Sequence, residues 1–137
     1  MKSKNWKFVK EGDILFEKAS GRVHYWHYHP ETLKEADSYM VKVVVPVGGG
    51  HNFHVHPEMN EILYVLKGQA EQWIEDEMQF LNEGESVYID ADVAHATYNA
   101  GEEELEFLAI LSPPQGWEAG TVDVSGNLPY SEYRQRI

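Results

Sequence analysis

The sequence predicts an all-β protein, a sandwich or barrel of many short strands. Three observations carry that expectation. Short runs rich in Val, Ile, Tyr, Phe and Trp recur along the chain, and Gly, Pro, Asn and Asp punctuate them. Almost no stretch has helical periodicity.

Asp13–Phe16 is the first expected strand, followed by the aromatic-rich Arg22–His29 within RVHYWHYHP. Pro30 suits the first position of a helix, so Glu31–Ala36 is expected as the one helical turn. Tyr39–Val45 is dense in valine, a β-branched strand former. Gly48-Gly49-Gly50 is a flexible approach to Asn52–His56; no helix or Lys-Ser/Thr pair follows to make it a phosphate loop. The turn Pro57-Glu58-Met59-Asn60 leads into Glu61–Lys67 and then Ala70–Ile74. Glu75-Asp76-Glu77 turns a hairpin into Met78–Leu81. Ser86–Ile89, the turn Asp90-Ala91-Asp92 and Ala94–Asn99 come next, and Gly101-Glu102-Glu103-Glu104 turns a second hairpin into Leu105–Leu111. Beyond Ser112-Pro113-Pro114 the periodicity fades. That tail is expected to be an extended arm on the barrel or on a neighbouring subunit, anchored by Trp117, Leu128, Tyr130 and Tyr133.

A chain of 137 residues can bury the core of one domain without a metal or disulfide to hold it. No repeat or linker divides it, so one domain spanning 1–137 is expected, with strands 1–38 and arm 112–137 flanking a core of about 39–111. The absence of cysteine excludes disulfides, thiolate metal sites and a cysteine nucleophile, and fits a reducing cytoplasm. The opening MKSKNWKFVKEGD lacks the apolar run of a secretory signal, and no run reaches membrane-span length. The expected setting is therefore soluble and cytoplasmic, with no membrane partner. With 23 acidic against 11 basic residues the net charge is −12, which disfavours nucleic acid as a partner. The acidic residues fall in turns and on strand exteriors and read as solvated surface.

Six of the seven histidines lie between His24 and His56, and two stretches repeat the pattern His-x-His-Pro: His27–Pro30 and His54–Pro57. Alternate residues of a strand share a face, so His54 and His56 point the same way. Glu61 opens the next strand, and His95 stands at the start of Ala94–Asn99. Three neutral imidazoles and one carboxylate suit a divalent first-row metal: Fe, Mn, Ni, Cu, Co or Zn. The same four side chains could instead form a hydrogen-bonded cluster without metal. His27 and His29 lack this company, because Glu35 lies in a polar turn and no glycine-framed hairpin or distant histidine completes the set. They read as packing, subunit-contact or pocket-wall residues. His51 has the parity of neither metal histidine and reads as a loop side chain.

These spacings resemble the cupin family. Its first motif is glycine, five residues, His-x-His, four residues, glutamate, six residues, glycine. The chain has Gly48, His54, Val55, His56, Glu61 and Gly68 at those spacings. In the second motif Gly84, His95 and Asn99 match, while Asp90 and Asp92 stand where the family usually has proline and glycine. Aspartate tolerates left-handed turn conformations, so the turn is expected to survive. The resemblance covers roughly Tyr39 to Leu111. It implies a single jelly-roll β-barrel with an N-terminal strand extension, a C-terminal arm, and a metal held inside by His54, His56, Glu61 and His95.

The resemblance implies fold and metal more than reaction, since one fold carries many chemistries. The expected function is a metal-dependent enzyme acting on a small molecule: dioxygenase-like, or a sugar or organic-acid isomerase, decarboxylase or lyase. The alternative is a non-catalytic module that senses a small ligand or a metal. In an enzyme Glu61 would be a ligand and also a proton shuttle. Parity puts Asn52 on the face of His54, Leu63 on that of Glu61, and Thr97 and Asn99 on that of His95. Phe107 points inward, and Met59, Tyr98 and Trp26 close the mouth. An apolar lining would suit a planar or partly apolar substrate, whereas several converging Lys, Arg, Asn and Gln would suit a sugar. A homodimer is expected by analogy with small cupins, through the Arg22–His29 strand and the C-terminal arm.

Overall fold

Apolar residues at alternate positions build two antiparallel sheets. The computed structural model describes residues 6–137; the first five residues of the expected N-terminal extension lie outside them. The strands are β1 Leu15–Ala19, β2 Arg22–Tyr28, β3 Tyr39–Val45, β4 Gly50–Val55, β5 Asn60–Lys67, β6 Ala70–Ile74, β7 Glu77–Leu81, β8 Ser86–Ile89, β9 His95–Asn99, β10 Leu105–Ser112 and β11 Val122–Asp123. One sheet runs β1-β2-β3-β10-β5-β8 and the other β11-β4-β9-β6-β7. The result is the expected all-β jelly-roll sandwich.

Period-two burial fixes which residues fill the space between the sheets. Along β10, Leu105, Phe107, Ala109 and Leu111 are buried while the residues between them are partly exposed. β3 contributes Tyr39, Val41, Val43 and Val45, and β5 contributes Leu63 and Val65. The opposite face of the five-stranded sheet carries a second cluster of Phe53, Ala94, Ala96 and Tyr98. The C-terminal arm covers that cluster. β11 pairs with β4, and Val124, Tyr130 and Tyr133 pack against it, the last two around the Phe53 ring at 5.2 and 6.3 Å.

Local hydrogen bonding explains where the elements depart from expectation. The first strand starts at Leu15 because Asp13 closes a short 3-10 turn, its carboxylate accepting the Lys10 N–H at 3.0 Å. Glu31–Ala36 forms turns, not a helix. The Thr32 and Leu33 amides both donate to the His29 carbonyl at 2.9 Å, and the Thr32 hydroxyl adds a third bond to it. These side-chain and turn bonds compete with a helical ladder. Within the arm, Tyr130–Tyr133 forms one helical turn, Trp117 packs on the main core, and Leu128 is 72% exposed and anchors nothing. The Asp90–Asp92 turn holds its shape. Asp92 adopts φ +65°, and its N–H donates to the His56 carbonyl at 2.9 Å.

Removing the ring that the arm packs on tests this layer. Phe53→Ala is expected to cost about 3–5 kcal/mol in urea unfolding. Leu128→Ala is expected to stay within about 0.5 kcal/mol of wild type. Equal effects would show that the arm does not pack as described.

Candidate metal centre

Antiparallel pairing of β4 with β9 sets His54 directly opposite His95. His56 follows β4, held by the Asp92 N–H on its carbonyl. Glu61 comes from the other sheet, near the start of β5, so the cluster spans the gap between the two layers. All four side chains are buried, and one candidate ligand atom from each lies within 4.8 Å of the others. The structure thus brings together His54, His56, Glu61 and His95, as the spacing led one to expect.

Hydrogen bonds aim the imidazoles. His54 Nδ1–H donates to the Asn52 carbonyl at 2.7 Å, and His95 Nδ1–H donates to the Val93 carbonyl at 2.9 Å. In the neutral rings each Nε2 is then left as a lone pair facing inward, the arrangement that orients metal-binding histidines. His56 Nδ1 lies 3.1 Å from Thr121 Oγ1, and its Nε2 lies 3.0 Å from Glu61 Oε1. The same carboxylate oxygen is 3.6 Å from His95 Nε2, beyond a hydrogen bond. His95 Nε2 is a fully buried nitrogen with no hydrogen-bond partner. Such an orphan is rare in a folded interior and costs about 1–3 kcal/mol. A metal ion at the centre would satisfy it, and the donor set fits one.

The electrostatics agree with that set. Burial pushes the Glu61 carboxyl up, but the His56 hydrogen bond and the close approach of His95 outweigh it, and Glu61 is held well below the usual carboxylate range. Burial, reinforced by the neighbouring histidines, holds His54 well below its ordinary value. Glu61 opposes burial at His95 and raises it.

The cluster opens on a cavity of about 330 Å³. Met59, Thr97 and Phe107 line it, as do Trp26 and His29. Asn52, Leu63 and Asn99 do not. Asn52 turns away to accept from the Tyr98 hydroxyl at 3.0 Å, and Leu63 is wholly enclosed in the core. Asn99 clamps the next hairpin, accepting from Gly101 N and donating to the Glu103 and Val45 carbonyls. Tyr98 faces the second cluster, not the mouth.

One extra residue in β4 explains the displaced Asn52. His51 pairs with Thr97 and His54 with His95, so three steps along β4 match two along β9. A bulge of this kind reverses the side-chain alternation downstream. His51 therefore joins the face of His54 and lies in the strand, its ring stacked on that of His54 at 3.5 Å and 9°. Burial and the Arg22 charge hold its ring nitrogen well below the ordinary value.

The rest of the wall escaped sequence reasoning. Glu17, Arg22 and His24 form its polar side, and Trp117 and Thr121 reach it from the arm. The alternation Arg22, His24, Trp26 within RVHYWHYHP was the available signal. His29 is a pocket-wall residue edge-on to Trp26 and Trp117 at 5.1 Å, whereas His27 is outside the lining.

A family model described as Cupin domain matches residues 41–111. An uncharacterized protein of Methanocaldococcus jannaschii, MJ1618, is 29% identical over 90 residues, 66% of this chain and 72% of that one. The mannose-1-phosphate guanylyltransferase of Escherichia coli is 31% identical over 96 residues, 66% of this chain but 20% of the enzyme, so the chain spans about a fifth of that protein. In fold, the polyketide cyclase RemF of Streptomyces resistomycificus superposes with a TM-score of 0.69 at 18% identity, covering 94% of this chain and 99% of RemF. With more than half of its length inside that family model, and His54, His56, Glu61 and His95 all within the matched span, the chain belongs to the cupin family.

Proposed function

We propose that the chain binds one divalent first-row metal ion through His54, His56, Glu61 and His95, and acts as a metal-dependent enzyme on a small, partly apolar molecule. The orphaned, buried His95 Nε2 at the centre of the cluster carries the metal reading. The metal, when bound, would supply Lewis-acid polarisation of a substrate oxygen. His54 and His95 hold their Nε2 lone pairs inward through carbonyl bonds on the far nitrogens. Glu61 would be a ligand and, after moving off the metal, could shuttle a proton, which suits isomerase, decarboxylase or lyase chemistry.

The cavity lining supports the substrate class. Among the described residues, Trp26, Trp117, Phe107, Val41, Val43 and Ala109 form its apolar side, and of the Lys, Arg, Asn and Gln side chains expected around a sugar only Arg22 lines it. A sugar would need several such donors around its hydroxyls. The apolar lining therefore favours a planar or partly apolar molecule, despite the likeness to an enzyme named for mannose 1-phosphate.

A homodimer is part of the same proposal. The arm lies on its own barrel, and β2 is an interior strand between β1 and β3. The outer face of the six-stranded sheet, to which β2 belongs, offers a surface for the contact. It exposes Ile62, Tyr64, Leu66 and Tyr88. An exposed apolar patch of this kind is the surface a second copy would cover.

Protein purified without chelator or affinity tag is expected to carry about one first-row metal per chain by elemental analysis. The pair His54→Ala with His56→Ala should reduce this to background, while His27→Ala with His29→Ala should leave it intact. Wild-type protein still empty after loading with each candidate metal would refute the site. Zinc at about 100 times its Kd should stabilise the fold by about 2.7 kcal/mol, read as a rise in Tm, and the double variant should show no rise. A loaded protein inert toward every planar or partly apolar acid, enol or ketone would return the balance to a sensing role. Light scattering should report a dimer, and Tyr64→Glu with Tyr88→Glu a monomer; a wild-type monomer at micromolar concentration would remove the dimer.

A further inference from the structure

Among the described residues that line the cavity, Arg22 alone carries a fixed positive charge, and nothing neutralises it at close range. Its Nε–H donates to His24 Nε2 at 3.2 Å. One Nη1 proton goes to the Ser20 carbonyl at 2.8 Å, and Nη2 lies 3.1 Å from His51 Nε2. Glu17 and Glu61 act on it only through space, and Arg22 makes no ion pair among the described residues. Partly buried charges normally have a partner of opposite sign. A guanidinium has five N–H donors, so these three bonds leave one free on each terminal nitrogen.

The imidazoles hold Arg22 in place. His24 is itself fixed by Glu17, its Nδ1 lying 2.7 Å from Glu17 Oε1. His51 is fixed by its stack on His54. Arg22 is therefore one stacked ring away from the metal cluster, on the facing sheet. Along β2 the same face continues through His24 to Trp26, so the cation and the indole share one face of the strand with His24 between them. Trp117 meets Trp26 edge-on at 5.5 Å. The cavity has a cationic end and an aromatic end, with the cluster on the opposite wall.

We propose that Arg22 anchors a carboxylate of the substrate, making the ligand class an aromatic or similarly apolar carboxylate with its body against Trp26 and Trp117. The assignment rests on the reading of this cavity as the substrate site. Arginine suits it because two of its N–H groups can grip both oxygens of a carboxylate. The acid then sits in the one part of the wall that offers positive charge, and the apolar body takes the part that offers rings.

The test uses the zinc-loaded full chain and two probes of one shape, 2-naphthoate and 2-naphthamide, followed by quenching of tryptophan fluorescence and by calorimetry. Naphthoate is expected to bind wild type at least about tenfold more tightly than naphthamide, the scale of a charge-assisted pair. Arg22→Gln should bring that ratio close to one, with zinc content unchanged and naphthamide affinity within about twofold of wild type. Arg22→Lys keeps the charge without the fork; it should fall between the two, and serves if the Gln variant does not fold. A wild-type ratio near one overturns the role of Arg22 while the apolar-cavity reading stands. So does a ratio kept in Arg22→Gln, which would assign the preference to the metal. Failure of both probes to bind wild type overturns the cavity reading and this proposal with it.

Discussion

Burying three imidazoles and a carboxylate between two sheets constrains everything around them. Polar groups placed there must find partners, because each one left bare costs about 1–3 kcal/mol. The chain meets most of that demand with its own backbone. The carbonyls of Asn52 and Val93 occupy the outer nitrogens of His54 and His95, and Thr121 lies beside the outer nitrogen of His56. What the backbone does not satisfy is the inner side of the cluster, where His95 Nε2 stays without a partner. A fold that covers the outer nitrogens and leaves His95 Nε2 bare at the centre has its polar deficit at one point, which is where a cation would sit.

Position follows from pairing between strands. His54 and His95 face each other because β4 and β9 are neighbours in register there, and Glu61 reaches them from β5 in the other sheet. The turn before β9 is tied to the same place by the Asp92 N–H on the His56 carbonyl, so the loop carrying His56 and the approach to His95 are fixed together. Asp92 takes a left-handed conformation at the position where the family usually has glycine. With aspartates where the family usually has proline and glycine, His95 still joins the cluster.

The cavity in front of the cluster is made by elements outside the two motifs. β2 supplies Arg22, His24 and Trp26, and the arm supplies Trp117 and Thr121. The motifs set the cluster, and the flanking segments decide what can approach it. This is how one fold accepts many chemistries. The arm does so while also shielding Phe53 and its neighbours on the far face of the five-stranded sheet, so its anchoring serves the core and its earlier residues serve the pocket.

The sequence by itself determined the strands, their hydrophobic alternation, the four-residue cluster and the difference between the two His-x-His-Pro stretches. Each of these depends on spacing along the chain, and spacing is what a sequence contains. His54 and His56 share a face because they are two apart, and glycines at fixed distances mark the turns around them. Only the tertiary structure decided where Asn52 and His51 point, because one unpaired residue in β4 reverses a parity that sequence counting assumes to be unbroken. It alone seated the arm on its own barrel, freed Leu128 to solvent and turned Asn99 into a hairpin clamp. It alone made Arg22 the cationic end of the cavity. A bulge, a docked segment and an orphaned charge are relations between residues far apart in the chain, and nothing in local spacing encodes them.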